Sequence, residues 1–280
     1  VGSHISALPK EVLSYRGIDF VLINEGVYAL RQLLATDLRC GLSKVEGIGY
    51  KDTDGNHHFT NPGKLVPQEL MDIDLPGYAW DLLPYKEQPL DLYRAHFWHA
   101  DYDHAKRSPF AAIYTSLGCV FKCGFCMINV VNRNDTEEIG VASNYSTMRF
   151  WSPDFIINEF EKLYAMGVRT LRICDEMFLL NSKYYVPLCE LLCNKGLGKD
   201  LNMWTYSRVD TIRKREHLDL LRAAGIRWLA LGIESGQENI RIEAAKGKFK
   251  EVDIRNVVEE IEKADINVIG NYLFGLPGDD

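Results

Sequence analysis

From Phe110 onward the chain alternates short apolar runs with longer stretches in which apolar residues recur every three or four positions. "FAAIYTSLG", starting at Phe110, predicts a strand. Ser152-Pro153 then caps a helix that runs to Met166 and stops at Gly167. Strand Val168–Asp175, a helix around Tyr184–Cys193 and strand Leu201–Arg208 follow. Helix Arg215–Gly225, strand Ile226–Ser235, helix Glu251–Ala264 and strand Ile266–Pro277 complete the series. Five βα steps with parallel strands predict an α/β barrel, or part of one.

The pattern upstream is different. A short helix over residues 9–15 begins at Pro9, a favoured first helical position. Ile18–Asn24 reads as a buried strand, and Glu25–Ala35 as a helix with Val27, Leu30, Leu33 and Leu34 on one face. This helix–strand–helix piece predicts the tail of a doubly wound, Rossmann-like domain. Glu46–Asn61 predicts a hairpin about Asp54-Gly55. Pro62, Pro67, Pro76, Pro84 and Pro89 then mark an irregular connector. The expected division is a domain remnant over 1–45, hairpin and connector over 46–108, and a parallel core over 109–280. Both ends look cut: Val1–His4 reads as the turn after a strand, and "NVIGNYLFGLPGDD" as a strand and turn with no helix after it.

Composition narrows the function classes. The net charge is −7 with no basic block, which argues against a nucleic-acid groove. No apolar run approaches the ~18 residues of a membrane span, and no export signal is visible. Seven cysteines, three of them crowded together, predict intracellular thiols and a metal site in a cytoplasmic protein.

Those three stand in "SLGCVFKCGFCMINV" as Cys119, Cys123 and Cys126. Structural zinc wants four ligands, usually as two such pairs, and the next thiol, Cys174, lies far along the chain. A ferredoxin-type cluster also uses four cysteines. A thioredoxin-like redox pair leaves Cys119 unexplained. A four-iron cluster held by three thiolates, with one iron left open, uses all three residues.

CxxxCxxC after the first strand of a βα barrel, with the aromatic Phe125 before the third cysteine, resembles the radical S-adenosylmethionine (SAM) superfamily. The resemblance covers Phe110 to Asp280. It implies a 4Fe-4S cluster on Cys119, Cys123 and Cys126 and reductive cleavage of SAM to methionine and a 5′-deoxyadenosyl radical, which takes hydrogen from a substrate. It implies a SAM site that includes Phe125. Asp175 and Glu176 would hold SAM's amino group, although Cys174 and Asp175 replace the family's glycines there; a helix N-cap is the plainer role for Asp175. Arg208 would meet SAM's carboxylate, and Glu234 and Ser235 its ribose. A plain salt bridge between Arg208 and Glu234 is the alternative. Gly270 and Gly275 would lie near adenine.

A second resemblance sits upstream. "GSHISALP" followed by "DFVLINEG" is similar to the last third of a cobalamin-binding domain, and "DLPGYAWDLLP" (Asp74–Pro84) to the connector that follows it. It implies that Gly2, Ser3, His4, Glu25 and Gly26 lie in loops near cobalamin, against ordinary turn chemistry. Together the resemblances imply a cobalamin-dependent C-methyltransferase. The alternatives are ring formation or rearrangement without methylation, and a non-catalytic iron–sulfur electron carrier or inert fragment. The implied partners are a small-molecule or peptide substrate and an electron donor such as flavodoxin or ferredoxin.

"HFWHADYDH" (His96–His104) resembles a metal site in composition, or a segment that covers the barrel mouth. The expected geometry brings the three sulfurs together at roughly 6–7 Å separation. It points Glu176, Arg208 and Glu234 into one cavity, and packs Cys174, Cys189 and Cys193 elsewhere as small apolar residues.

Overall fold

The structure is a computed structural model, and it describes residues 1–84, 109–128, 147–212, 214–245 and 252–279. The His96–His104 segment lies outside the described residues. The chain divides into two compact units, Val1–Pro76 with Gly118–Arg149, and Gly77–Leu117 with Phe150–Asp280.

The first unit opens with helices α1 (Ser3–Ala7) and α2 (Pro9–Ser14), then strand β1 (Phe20–Leu22) and helix α3 (Val27–Leu34). Strands β2 (Ile48–Lys51) and β3 (His57–Phe59) form the expected hairpin. β1 pairs antiparallel with β2, so the hairpin and the N-terminal strand share one three-stranded sheet, and a division after residue 45 passes through it. A small core of Leu22, Ala29, Leu33, Val45 and Ile48 holds α3 on this sheet. The buried face of α3 is therefore Ala29 and Leu33; Leu30 and Leu34, expected inside, are exposed. Gly2, Ser3 and His4 do not form a loop after a strand. Gly2 precedes α1, and Ser3 and His4 are its first turn. A short helix α4 (Met71–Asp74) gives Asp74, whose carboxylate accepts from the Tyr28 hydroxyl at 2.6 Å.

In the second unit, β4 (Phe110–Ile113) is followed by the two-residue strands β5 (Ser116–Leu117) and β6 (Arg149–Phe150). Helix α5 (Pro153–Ala165) starts at Ser152, whose hydroxyl accepts from the Phe155 N–H at 3.1 Å, a side-chain N-cap. Then come β7 (Thr170–Ile173), α6 (Ser182–Asn194), β8 (Asn202–Arg208), α7 (Arg215–Ala223) and β9 (Ile226–Glu234). Helices α8 (Glu238–Ala244) and α9 (Ile254–Lys263) precede β10 (Asn267–Tyr272). Of these, α8 has no counterpart in the sequence expectation. The five long strands pair in parallel in the order β10-β9-β8-β7-β4, the arrangement of a partial α/β barrel.

Alternation along the strands gives this sheet two different faces. Leu171, Ile173, Met203, Thr205, Leu229 and Leu231 are fully buried on one face. Arg172 is in register with Ala112 and Trp204, Tyr206 with Ala230, and Arg208 with Gly232, so these residues line the other face.

The connector "GYAW" is packed, not loose. Trp80 is buried and donates from Nε1 to Glu159 on α5 at 2.9 Å. Tyr78 stacks on Trp80, and its hydroxyl accepts from the Tyr114 N–H at 2.8 Å, covering the free edge beyond β4. Among the described residues no helix is long and apolar enough to cross a membrane.

Candidate functional site

The cysteine loop leaves the end of β5 through Gly118, whose φ of 94° lies in the left-handed region that favours glycine. Cys119 is buried, Cys123 half-buried and Cys126 exposed, and none is in a disulfide. One turn bond, Cys126 N–H to Cys123 C=O at 3.2 Å, orders the second half of the loop. Phe125 is exposed. Among the described residues no three His, Cys, Asp or Glu side chains are gathered as a metal-binding group. Metal–thiolate bonds supply the energy that organises such loops. The donor set itself fits a cluster: three thiols, none in a disulfide, on one short segment.

The ends of the parallel strands carry the polar residues. Asp175 is fully buried just after β7. It accepts from the Thr115 N–H, the Thr115 hydroxyl and the Ser116 hydroxyl, each at 2.6 Å. Burial raises its pKa, against the lowering effect of these bonds. Asp175 neither caps a helix nor stays open for an ammonium; it ties the segment after β4 to the end of β7.

Glu176, next in the chain, is different. Its Oε2 is buried with no hydrogen-bond partner among the described residues. Desolvation, aided by the charge of Asp175, pushes its pKa up to about 7. A partly desolvated carboxylate with an unused acceptor suits a cationic ligand such as the ammonium of SAM. A pKa raised in the fold means that Glu176 favours folding at low pH, and that this contribution is lost as pH rises from about 4.5 through about 7. Glu176→Gln is therefore expected to stabilise the protein at pH 8 by up to about 3 kcal/mol, and not at pH 4. Denaturation at the two pH values checks this; equal effects at both would remove the basis of the assignment.

Arg208 is committed. Its Nε donates to Asp210 Oδ1 at 2.9 Å and its Nη2 to Oδ2 at 2.5 Å, and both side chains are buried. The turn after β8 brings Asp210 back onto the Nε–Nη2 edge of the guanidinium, so that edge is occupied by Asp210. The sequence signal for it is Arg-Val-Asp at positions 208–210.

Glu234 still lies close by. Its φ of 68° is left-handed, and its side chain folds over Gly232, where a Cβ would stand 2.6 Å from Oε1 and 3.5 Å from Arg208 Cγ. Burial raises the Glu234 pKa, and the charge of Arg208 opposes the rise. Ser235 is held in a turn: its hydroxyl accepts from the Gln237 N–H at 3.1 Å and donates to Asp279 at 3.2 Å. Gly270 packs against Tyr272 and Ile233, whereas Gly275 faces open space.

In the first unit, Glu25 is also committed. Arg149 pairs with its Oε1, its Oε2 accepts from the Val66 N–H at 3.0 Å, and Arg149 Nη1 donates to the Val66 carbonyl at 2.7 Å. Glu25 therefore closes a buried ion-pair network and does not stand free in a loop. Gly26 precedes α3 with φ 70° and packs against Val1 and Leu22. His4 is exposed, 3.5 Å from Glu11.

Residues not singled out as site residues from the sequence line the open face of the parallel sheet. Arg172 lies over the rings of Trp204 and Tyr206, 4.9 Å from each centroid. Cys174 shares this face; burial raises its thiol, and it senses Arg172, Asp175 and Glu176. It is not packed away as a small apolar residue, unlike the fully buried Cys189. The signal was present as polar residues at alternate positions of "TLRIC" and "WTYSR".

Comparison with known proteins bears on both units. The family model "Radical SAM superfamily" matches residues 113–280. A protein of Pyrococcus horikoshii named an uncharacterized methyltransferase is 26% identical over 281 residues, covering 99% of this chain and 53% of that protein. The anaerobic magnesium-protoporphyrin IX monomethyl ester cyclase of Synechocystis is 23% identical over 238 residues, covering 84% of this chain and 41% of that protein. The cobalamin-dependent SAM radical enzyme OxsB, solved with aqua-cobalamin and SAM bound, shares the fold with a TM-score of 0.67 at 17% identity. That match covers 96% of this chain and 35% of OxsB. The chain thus spans about half the length, or less, of these relatives.

Proposed function

The chain belongs to the radical SAM superfamily, and from that premise we propose that the protein containing it is a cobalamin-dependent C-methyltransferase. The observation that carries the radical SAM part is Glu176: at the end of β7 it has a buried carboxylate oxygen with no hydrogen-bond partner among the described residues, in a chain whose preceding parallel strand leads towards three thiols outside any disulfide. In this reading Cys119, Cys123 and Cys126 ligate a 4Fe-4S cluster, and the Glu176 carboxylate accepts hydrogen bonds from the amino group of SAM. Asp175 holds the segment ahead of the cysteines, Glu234 and Ser235 border the ribose, and Phe125 belongs to the same SAM site. Arg208 serves this site through its pair with Asp210. When bound, the cluster, SAM and cobalamin supply a 5′-deoxyadenosyl radical and a methyl group.

Methylation at carbon is one outcome such cofactors would allow: a substrate carbon that gave up a hydrogen atom to the deoxyadenosyl group could take the methyl that cobalamin would carry, with homolysis of the methyl–cobalt bond. The methyltransferase name of the Pyrococcus relative supports this outcome. The likeness of nearly the whole chain to OxsB, first unit included, supports a place for cobalamin beside Gly2, Ser3, His4 and Gly26, with Glu25 bracing that unit. A second reading, ring formation without methylation, is favoured by the cyclase relative. An electron donor of flavodoxin or ferredoxin type reduces the cluster in either case.

The test is anaerobic turnover of the full-length protein with SAM carrying a deuterated methyl group. The expected result is deoxyadenosine together with a product that has gained the labelled methyl. Deoxyadenosine with an unlabelled, cyclised product would favour the second reading. An electron carrier would give no deoxyadenosine at all.

A further inference from the structure

Arg172 sits in mid-strand on the open face of the parallel sheet, where an unmatched cation needs a reason. Its neighbours in register are Ala112, which is exposed, and Trp204, which is buried. Its guanidinium lies over the rings of Trp204 and Tyr206, each at 4.9 Å. Ring stacking satisfies the faces of a guanidinium but none of its N–H donors, which lie in its plane. Among the described residues the buried Nε has no hydrogen-bond partner and no carboxylate pairs with this side chain. The acids that share its surroundings do not pair with it: Asp175 is taken by Thr115 and Ser116, and Glu176, which with Arg172 acts on Cys174 and Tyr114, forms no ion pair with it. Tyr114 and Tyr206 add further aromatic surface on this side, and both remain partly exposed.

A half-buried guanidinium stacked on two aromatic rings, with no hydrogen bond to its Nε and no carboxylate paired with it among the described residues, is built to receive a planar oxyanion in a bidentate pair. We propose that Arg172 is the anchor for a carboxylate carried by the substrate, with Trp204, Tyr206 and Tyr114 forming an aromatic wall beside it. The proposal rests on the superfamily reading, because it takes the open face of the sheet as the substrate side. It goes beyond that reading by assigning the substrate's chemical class: a carboxylic acid with a flat, apolar body next to the acid group.

The same chemistry has a second source, the carboxylate of SAM, and the experiment separates the two. Full-length protein, wild type and Arg172→Met, is titrated with benzoate and with neutral benzamide by ligand-observed NMR, and separately with SAM. Methionine keeps an unbranched side chain against the rings, and thermal melting checks that the variant folds. The expected result is that wild type prefers benzoate by at least about tenfold and that Arg172→Met loses the preference, while SAM affinity changes by less than about twofold. Arg172→Lys should keep part of the preference, since it retains charge but not the fork. No preference in wild type, or an undiminished preference in folded Arg172→Met, overturns the proposal. Loss of SAM binding with the benzoate preference intact assigns Arg172 to the cofactor and overturns it too. The titrations need neither reductant nor turnover, so failed methylation would count against the proposed reaction and leave this assignment standing.

Discussion

Cys123→Ala is expected to abolish the cluster. After anaerobic reconstitution of the full-length variant with iron and sulfide, iron content and cluster absorbance should fall on the order of tenfold or more, and deoxyadenosine formation should vanish. The loop carries one thiol for each of three irons, so removing any one leaves two irons of the cluster without protein thiolate. Substitutes are poor. Cys189 is fully buried in α6, and burial drives its thiol far towards the protonated form, which does not bind metal. Cys193 on the same helix is shifted in the same direction by burial. A bound cluster would tie the loop together through three metal–thiolate bonds. Proteolysis between Gly118 and Cys126 should therefore slow on reconstitution in wild type and not in the variant. A Cys123→Ala protein with unchanged cluster content would remove the cluster assignment, and the proposed reaction with it.

Asp175→Ala is expected to lower stability by about 2–3 kcal/mol at pH 7, measured by urea denaturation of the full-length protein. The loss leaves the Thr115 N–H buried without its acceptor, and two hydroxyls must find new partners. Relief from burying a carboxylate offsets part of the cost, since that burial raises the Asp175 pKa. Asp175→Asn should cost much less, because its carbonyl still accepts from the Thr115 N–H and its NH2 donates to the hydroxyls. The sign of the pH effect follows from the raised pKa: protonation of Asp175 favours the fold, so its contribution falls as pH rises through that pKa, and the Asn variant lacks this dependence. The alanine variant should also hold its cluster less tightly, since Thr115 and Ser116 stand just ahead of Cys119 in the chain. A variant that denatures like wild type would show that the triple contact carries no stability.

Much of the fold was legible before any coordinates, and for a simple reason. Period-two and period-3.6 patterns are local properties of a chain that buries one side of each element. The strands from Phe110 to Tyr272 therefore fell where the apolar runs stood, and Ser152 and Gly167 marked the ends of α5 as caps do. The weaker patterns misled. In α3, Leu30 and Leu34 fit a helical stripe as well as Ala29 and Leu33, yet Ala29 and Leu33 are the pair buried, because they face Leu22, Val45 and Ile48 in the core of this unit. Helix α8 has seven residues, too few for its period to stand out. At Val1–His4 the sequence suggested a strand end, and the chain forms one turn of helix instead.

The candidate site divides in the same way. Cys119, Cys123 and Cys126 were singled out by their spacing along one segment, and Glu176 by the resemblance of its strand end to the radical SAM superfamily. What each polar side chain is free to do was settled by partners distant in sequence. Glu25 is bound to Arg149, 124 residues away, and Asp175 to Thr115, 60 residues away. Arg208 had its partner two residues on, but only the turn after β8 brings Asp210 back onto it. Arg172 looked like one charge in an apolar strand, until the parallel register placed Trp204 beside it and no acid among the described residues within pairing reach. Spacing and periodicity determined which elements form and which residues stand at their ends. Tertiary packing decided which of those ends remain available for chemistry, because a donor or acceptor is spent or spare according to what other strands and helices bring against it.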